Sequence, residues 1–297
     1  MESSLSSTSH FRSISLPSRL TDPSCTMIHT KINELNEFGN LQVVTTQTIQ
    51  SSLVRLAELY VCVDELVRSP QTQQALLRHQ NGTLVEDALE GSIELLDSCS
   101  TLKDLLKFTK EHVQILQSAI RRKGGDTTLV SQIAAYLSFR KKAKKSVIKC
   151  LGSLKRLEKK MGSFLFLDVD HHVSMVVKVL QEVNAIAISL LKSLLVFVSN
   201  KTKPTNGVQL LSKLVSMSTS RHDKNQTFMN ELETVDFDLM SLHRNAHKGD
   251  TKNVDVQMTL RRLFILDASL EGFEAGLDCL FRRLIQSRAS LLNIVAC

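Results

Sequence analysis

The sequence predicts an all-α protein, an elongated bundle of long antiparallel helices behind a disordered N-terminal tail. Two observations carry this. Apolar residues recur at spacings of three and four over long stretches, and only 11 Gly and 4 Pro in 297 residues leave little material for a turn-rich β protein. The composition, 42% hydrophobic and 23% charged, is that of an ordinary globular chain. A chain of this length buries roughly 75% of its extended surface on folding and needs neither disulfides nor metals for stability.

Residues 1–23 form the predicted tail. They are rich in Ser and poor in clustered apolar residues, so they cannot offset the entropy of becoming ordered. Residues 24–297 read as one helical bundle domain of about seven long helices, with helical spacing from Thr26 onward. Breaks are expected at Gly39-Asn40, Ser69-Pro70, Asn81-Gly82, Gly124-Gly125 and from Lys201 to Gly207.

The last helix has the clearest pattern. Leu263, Leu266, Leu270, Phe273, Leu277, Leu280, Leu284, Ser287, Leu291 and Ile294 mark one face, in the manner of helices packed side by side. Phe264, Phe281, Ile285 and Leu292 widen that stripe beyond a two-stranded seam, which favours packing within the chain over a coiled coil between chains. Residues 83–123 repeat the logic with Leu84, Ala88, Ile93, Leu96, Leu102, Leu105, Leu106, Val113, Leu116 and Ile120. Thr83 follows an Asn-Gly cap signal, and Arg121, Arg122 and Lys123 suit the negative end of that helix.

A third helix, over about 127–161, gathers Ile133, Tyr136, Ala143, Val147, Cys150, Leu151, Leu154, Leu157 and Met161 on one arc. Arg140, Lys141, Lys142, Lys144, Lys145, Lys149, Arg156, Lys159 and Lys160 are expected on the other, as a basic face. Residues 121–160 carry 13 Lys and Arg against Asp126 and Glu158, so this stretch alone makes the chain basic. Three kinds of setting fit such a face: plain solvent, an acidic protein or anionic membrane surface, and nucleic acid. Nucleic acid fits worst, because aromatic residues are only 5%, Trp is absent and no base-reading signature occurs. Lys141 to Lys145 also matches a short nuclear import signal, a pattern that any basic helix generates easily.

Val183 to Val198 is apolar but only 16 residues long and is interrupted by Asn184 and Lys192. A spanning helix needs about 20 apolar residues, so a buried bundle helix is the expected form. His243 and His247 stand at i, i+4 with no completing ligand. Asp168, Asp170, His171 and His172 precede an apolar helical run, where an Asp is expected to cap free amides. The sequence has no nucleophile elbow, phosphate loop or dinucleotide fingerprint, and we expect no enzyme activity, no cofactor, no metal and no small-molecule substrate. The six scattered cysteines are expected as free thiols in a reducing compartment, which makes the cytoplasm the expected location, with a peripheral-membrane or nuclear pool as variants.

The tail holds the most specific short motif, Arg12-Ser13-Ile14-Ser15-Leu16-Pro17. Phosphate on Ser15 would add about −1.5 to −2 charge, with Arg12 three residues upstream and Pro17 turning the chain away. Arg12, Ser13, Ser15 and Pro17 thus match the phosphopeptide pattern read by 14-3-3 proteins, the expected partner class for the tail. A Ser-rich tail with few acids also fits a plastid transit peptide, a reading we rank lower.

Five blocks in order carry a resemblance: Arg12 to Arg19 (RSISLPSR), Leu56 to Leu76, Gly91 to Leu106, Val113 to Gly125 and Leu270 to Ile294. Together the chain resembles the plant Bypass-related proteins, nearly end to end. The resemblance implies a helical protein linked to shoot and root development, without catalytic residues or cofactor to carry over. It implies no role for the polar stretch Arg221 to Lys252.

Overall fold

The computed structural model describes residues 23–39, 45–78, 83–122, 126–161, 171–199, 229–246 and 253–296. The described residues form eight α-helices and no strands: α1 (Pro23–Gly39), α2 (Thr46–Arg68), α3 (Pro70–Arg78), α4 (Thr83–Arg121), α5 (Asp126–Met161), α6 (His171–Val198), α7 (Glu231–Ala246) and α8 (Asn253–Ala296). Of the expected breaks, Ser69-Pro70 separates α2 from α3, while Asn40, Asn81-Gly82, Gly124-Gly125 and Lys201 to Gly207 lie outside the described residues. Thr45 caps α2 by accepting from the Thr48 amide at 3.2 Å. Ser69 leaves helical geometry, its Oγ accepts from the Thr72 amide at 3.3 Å, and Pro70 opens α3, where its missing N–H costs nothing.

At about 1.5 Å per residue, the 44 residues of α8 run roughly 66 Å and set the long axis of the molecule. The predicted stripe from Leu263 to Ile294 is buried at every position. Of its expected flanks, Phe264, Ile285 and Leu292 stay exposed and Phe281 is half-buried, so the seam is narrower than predicted. The packing is nonetheless within the chain. Cations cover the two aromatic flanks: the Arg121 guanidinium lies 4.5 Å from the Phe264 ring centre and the Lys103 ammonium 4.7 Å from that of Phe281.

On one side α4 runs antiparallel to α8, as Lys103–Asp278 (2.6 Å) and Lys110–Glu274 (3.0 Å) show. On the other side α2 runs parallel to it, with Gln50 donating to the Ser269 carbonyl and Gln286 donating to Asp64. Gly276 permits this approach, because a Cβ there would lie 2.9 Å from the Leu53 Cβ. Asp64 is buried and fully engaged, accepting from Ser290, Gln286 and Arg68. In α4 the predicted Leu102, Leu105, Leu106, Val113, Leu116 and Ile120 are buried, whereas Ile93 is exposed and Leu95 takes the core position in that turn.

The apolar helix α6 packs against α1 through α5. Among the described residues it is the one helix long and apolar enough to cross a membrane. Its two polar interruptions have bundle partners: Asn184 accepts from the Tyr60 hydroxyl at 2.9 Å, and Lys192 pairs with Glu158 of α5 at 2.6 Å. Val183, Ala187, Leu191 and Leu194 around them are buried.

Candidate functional site

The chemistry-bearing surface is built on α5. Its predicted arc is in the core, with Ile133, Tyr136, Ala143, Val147, Cys150, Leu151, Leu154 and Leu157 buried and Met161 packed against them. A helix buried along one side must present the rest to water, and Lys141, Lys142, Lys145, Lys149, Arg156, Lys159 and Lys160 are exposed, with Lys144 half-buried.

Arg140 is a correction. It is not on the basic face but 7% exposed in the core, four residues after Tyr136 and three before Ala143, and therefore on the apolar line itself. Its guanidinium grips Asp236 of α7 through Nε and Nη2 at 3.0 to 3.2 Å, and the Tyr136 hydroxyl donates to the same carboxylate. Burial and the adjacent Asp236 carboxylate push the Tyr136 hydroxyl well above the ordinary tyrosine range. Asp236 belongs to the stretch from Arg221 to Lys252 that sequence reasoning left without a role. It sits on α7, which opens with a capping box in which Asn230 accepts from the Glu233 amide at 2.8 Å while Glu233 accepts from that of Asn230.

A neighbouring acid meets the C-terminal end of the basic face. α4 is antiparallel to α5, with Glu90 beside Lys160, Ser98 beside Cys150 and Phe108 beside Phe139. The hydrogen bond and charge of Glu90 raise the Lys160 pKa. Arg156 bonds Ser153 at 3.0 Å, and Lys144 and Lys159 engage neighbouring groups. Lys141, Lys142, Lys145 and Lys149 form no ion pair or hydrogen bond with the described residues.

Sequence reasoning missed the apolar groups beside these lysines. Ile148 is 59% exposed, and on α4 Phe108 is also exposed. Phe108 meets Phe139 edge-on at 6.5 Å, and His112 lies 4.8 Å from Phe139. Helical spacing from Lys145 does put Ile148 outward, a signal present in the sequence.

The other sequence candidates divide as follows. Arg12, Ser13, Ser15 and Pro17 lie outside the described residues, as do Asp168, Asp170 and His247. His172 contacts Thr72 of α3 at 3.0 Å, a contact within the bundle. No group of three or more His, Cys, Asp or Glu among the described residues is placed to hold a metal ion. Cys62, Cys99 and Cys150 are buried free thiols and Cys279 is a half-buried one. A shallow groove between α1 and α2 is lined by Lys31, Glu34, Arg55 and Glu58, whose charges pair across it.

Comparison with curated proteins and with solved structures gives no match. Residues 52–294, from α2 to the end of α8, match the family described as Protein BPS1. The expected Bypass-related kinship therefore holds over most of the bundle, and the chain belongs to the BPS1 (Bypass1) family.

Proposed function

We propose that this protein is a non-enzymatic interaction protein that works by presenting the outer face of α5, together with the Ser15 peptide of its tail, to protein partners. One observation carries the reading: Lys141, Lys142, Lys145 and Lys149 stand within nine residues of one helix with no ionic partner among the described residues, while Lys160 at its end pairs with Glu90. Unpaired charge of one sign on a rigid helix attracts an acidic surface and speeds encounter with it. The bundle partners of Asn184 and Lys192 support a core role for α6, and the charge pairs across the α1–α2 groove support a structural role there. The link of Bypass-related proteins to shoot and root development gives the setting in which such partners act.

Affinity purification of the tagged full-length protein from plant tissue tests both surfaces. Charge reversal at Lys141, Lys145 and Lys149 should remove a specific set of proteins, and Ser15→Ala should remove 14-3-3 proteins from the phosphorylated form. Identical protein sets from all three forms would refute the proposal. Pelleting with anionic vesicles, lost in high salt, would mark the α5 face as a lipid-binding surface instead.

A further inference from the structure

Resting on the reading of α5 as the interaction face, we propose that its outer row is a docking line for an acidic amphipathic helix of a partner protein. Lys141, Lys145, Ile148 and Gly152 follow one another at i, i+4, i+7 and i+11, which aligns them along one side of the helix. Lys142 and Lys149 flank the row. Exposed Ile148 sits between the lysines, and just beyond it a Cβ added at Gly152 would meet nothing within 4 Å. Cation, cation, apolar group and open notch thus succeed each other over about 16 Å, the length of three helical turns.

The charge fixes the sign of the occupant, and the apolar position fixes its pattern. A helix carrying Asp or Glu at one edge and Leu or Phe at the next answers both requirements along a row of this length. The chain itself already shows the pairing. α7, with Glu231, Glu233, Asp236 and Asp238 in eight residues, is an acidic amphipathic helix seated on the inner edge of the same α5. There Asp236 takes Arg140 while Leu232, Val235 and Leu239 are buried.

A flat anionic bilayer fits less well. The pairs Phe108–Phe139 and Ser98–Cys150 bring the intervening segment of α4 alongside Lys141 to Lys149, and that segment exposes Asp104 and Lys107, which add no net positive charge to the face. Asp97 and Glu111 are exposed on the same helix. A plane would meet these acids together with the lysines, whereas a helix about 10–12 Å across can follow α5 alone.

The test uses full-length protein and a labelled synthetic helix with leucines along one face and glutamates along the adjoining edge. A scrambled peptide of the same composition and phosphatidylserine-containing vesicles serve as competing probes, and binding is read by fluorescence anisotropy and by vesicle pelleting. The amphipathic helix should bind and the scramble should not. Lys141→Glu with Lys145→Glu should weaken binding about tenfold, and Ile148→Ser about three- to tenfold, with unfolding midpoints unchanged. Equal binding of helix and scramble would overturn the amphipathic-helix inference while leaving the basic-face reading intact, and binding to vesicles alone would overturn it in favour of a lipid-binding face. Helix binding that is indifferent to the charge reversal would overturn both.

Discussion

Replacing Asp236 with leucine removes the acceptor at the centre of the α5–α7 contact. Asp236 is 1% exposed and Arg140 7%, so the substitution leaves a guanidinium and the Tyr136 hydroxyl in the core without their shared partner. Removing one member of a buried ion pair costs about 3–5 kcal/mol, most of it the penalty for the stranded charge. The matching double variant Arg140→Met/Asp236→Leu removes that charge as well. It should recover most of the loss and retain about 1–3 kcal/mol for the unsatisfied hydroxyl of Tyr136. Adding Tyr136→Phe should return stability to near wild type. Urea unfolding followed by far-ultraviolet circular dichroism measures all four proteins. A single-variant cost below about 1 kcal/mol, or a triple variant as unstable as the single, would refute this account of the contact.

Other parts of the bundle yield sharper local expectations. Gly276→Ala puts a Cβ against the Leu53 Cβ, which cannot yield unless α2 moves, so the overpacking cost of about 1–3 kcal/mol outweighs the helix-propensity gain of about 1 kcal/mol. Gly152→Ala meets open space and should stabilise by about 0.5–1 kcal/mol, giving opposite shifts in the two unfolding midpoints. Burial lowers the His112 pKa against a smaller opposing effect of Glu111, so the unfolded chain takes up the proton first. Stability contributed by neutral His112 is therefore present above about pH 6.5 and lost as pH falls through the depressed folded value. His112→Gln should flatten the fall in urea midpoint on acidification, and an unchanged slope would contradict this. Burial pushes the Cys99 thiol up to about 12 and raises that of Cys150, so alkylation at mild alkaline pH should reach Cys279 well before either. Peptide mapping after timed labelling checks that order.

The core of α8 was readable because its signal is local: ten positions at three- and four-residue steps name one face, and all ten are buried. The basic character of α5 was readable for the same reason. Which of its cations are free was not, because Glu90 lies 70 residues from Lys160 and Glu158 reaches Lys192 from another helix. Arg140 shows the sharper limit. Its spacing placed it in the core, but a charge belongs there only with a partner, and Asp236 stands 96 residues away. The helix that carries Asp236 did have legible signals, the Asn230 to Glu233 capping box and the spacing of Leu232, Val235, Leu239 and Leu242. Its acids and polar flanks obscured them. On α8 the exposed flanks misled in the opposite sense, because Arg121 can shelter the Phe264 ring at the surface without any burial in the bundle.

The central claim is that partners bind on the outer face of α5, and differential lysine labelling addresses it directly. Full-length protein, free and as the complexes captured from plant tissue, is treated briefly with an amine-reactive reagent and mapped by mass spectrometry. Lys178, whose side chain is 70% exposed on α6, serves as the reference. Protection of Lys141, Lys142, Lys145 and Lys149 in the complexes, with Lys178 unchanged, is the predicted result. Equal reactivity of the four lysines in free and complexed protein would contradict it.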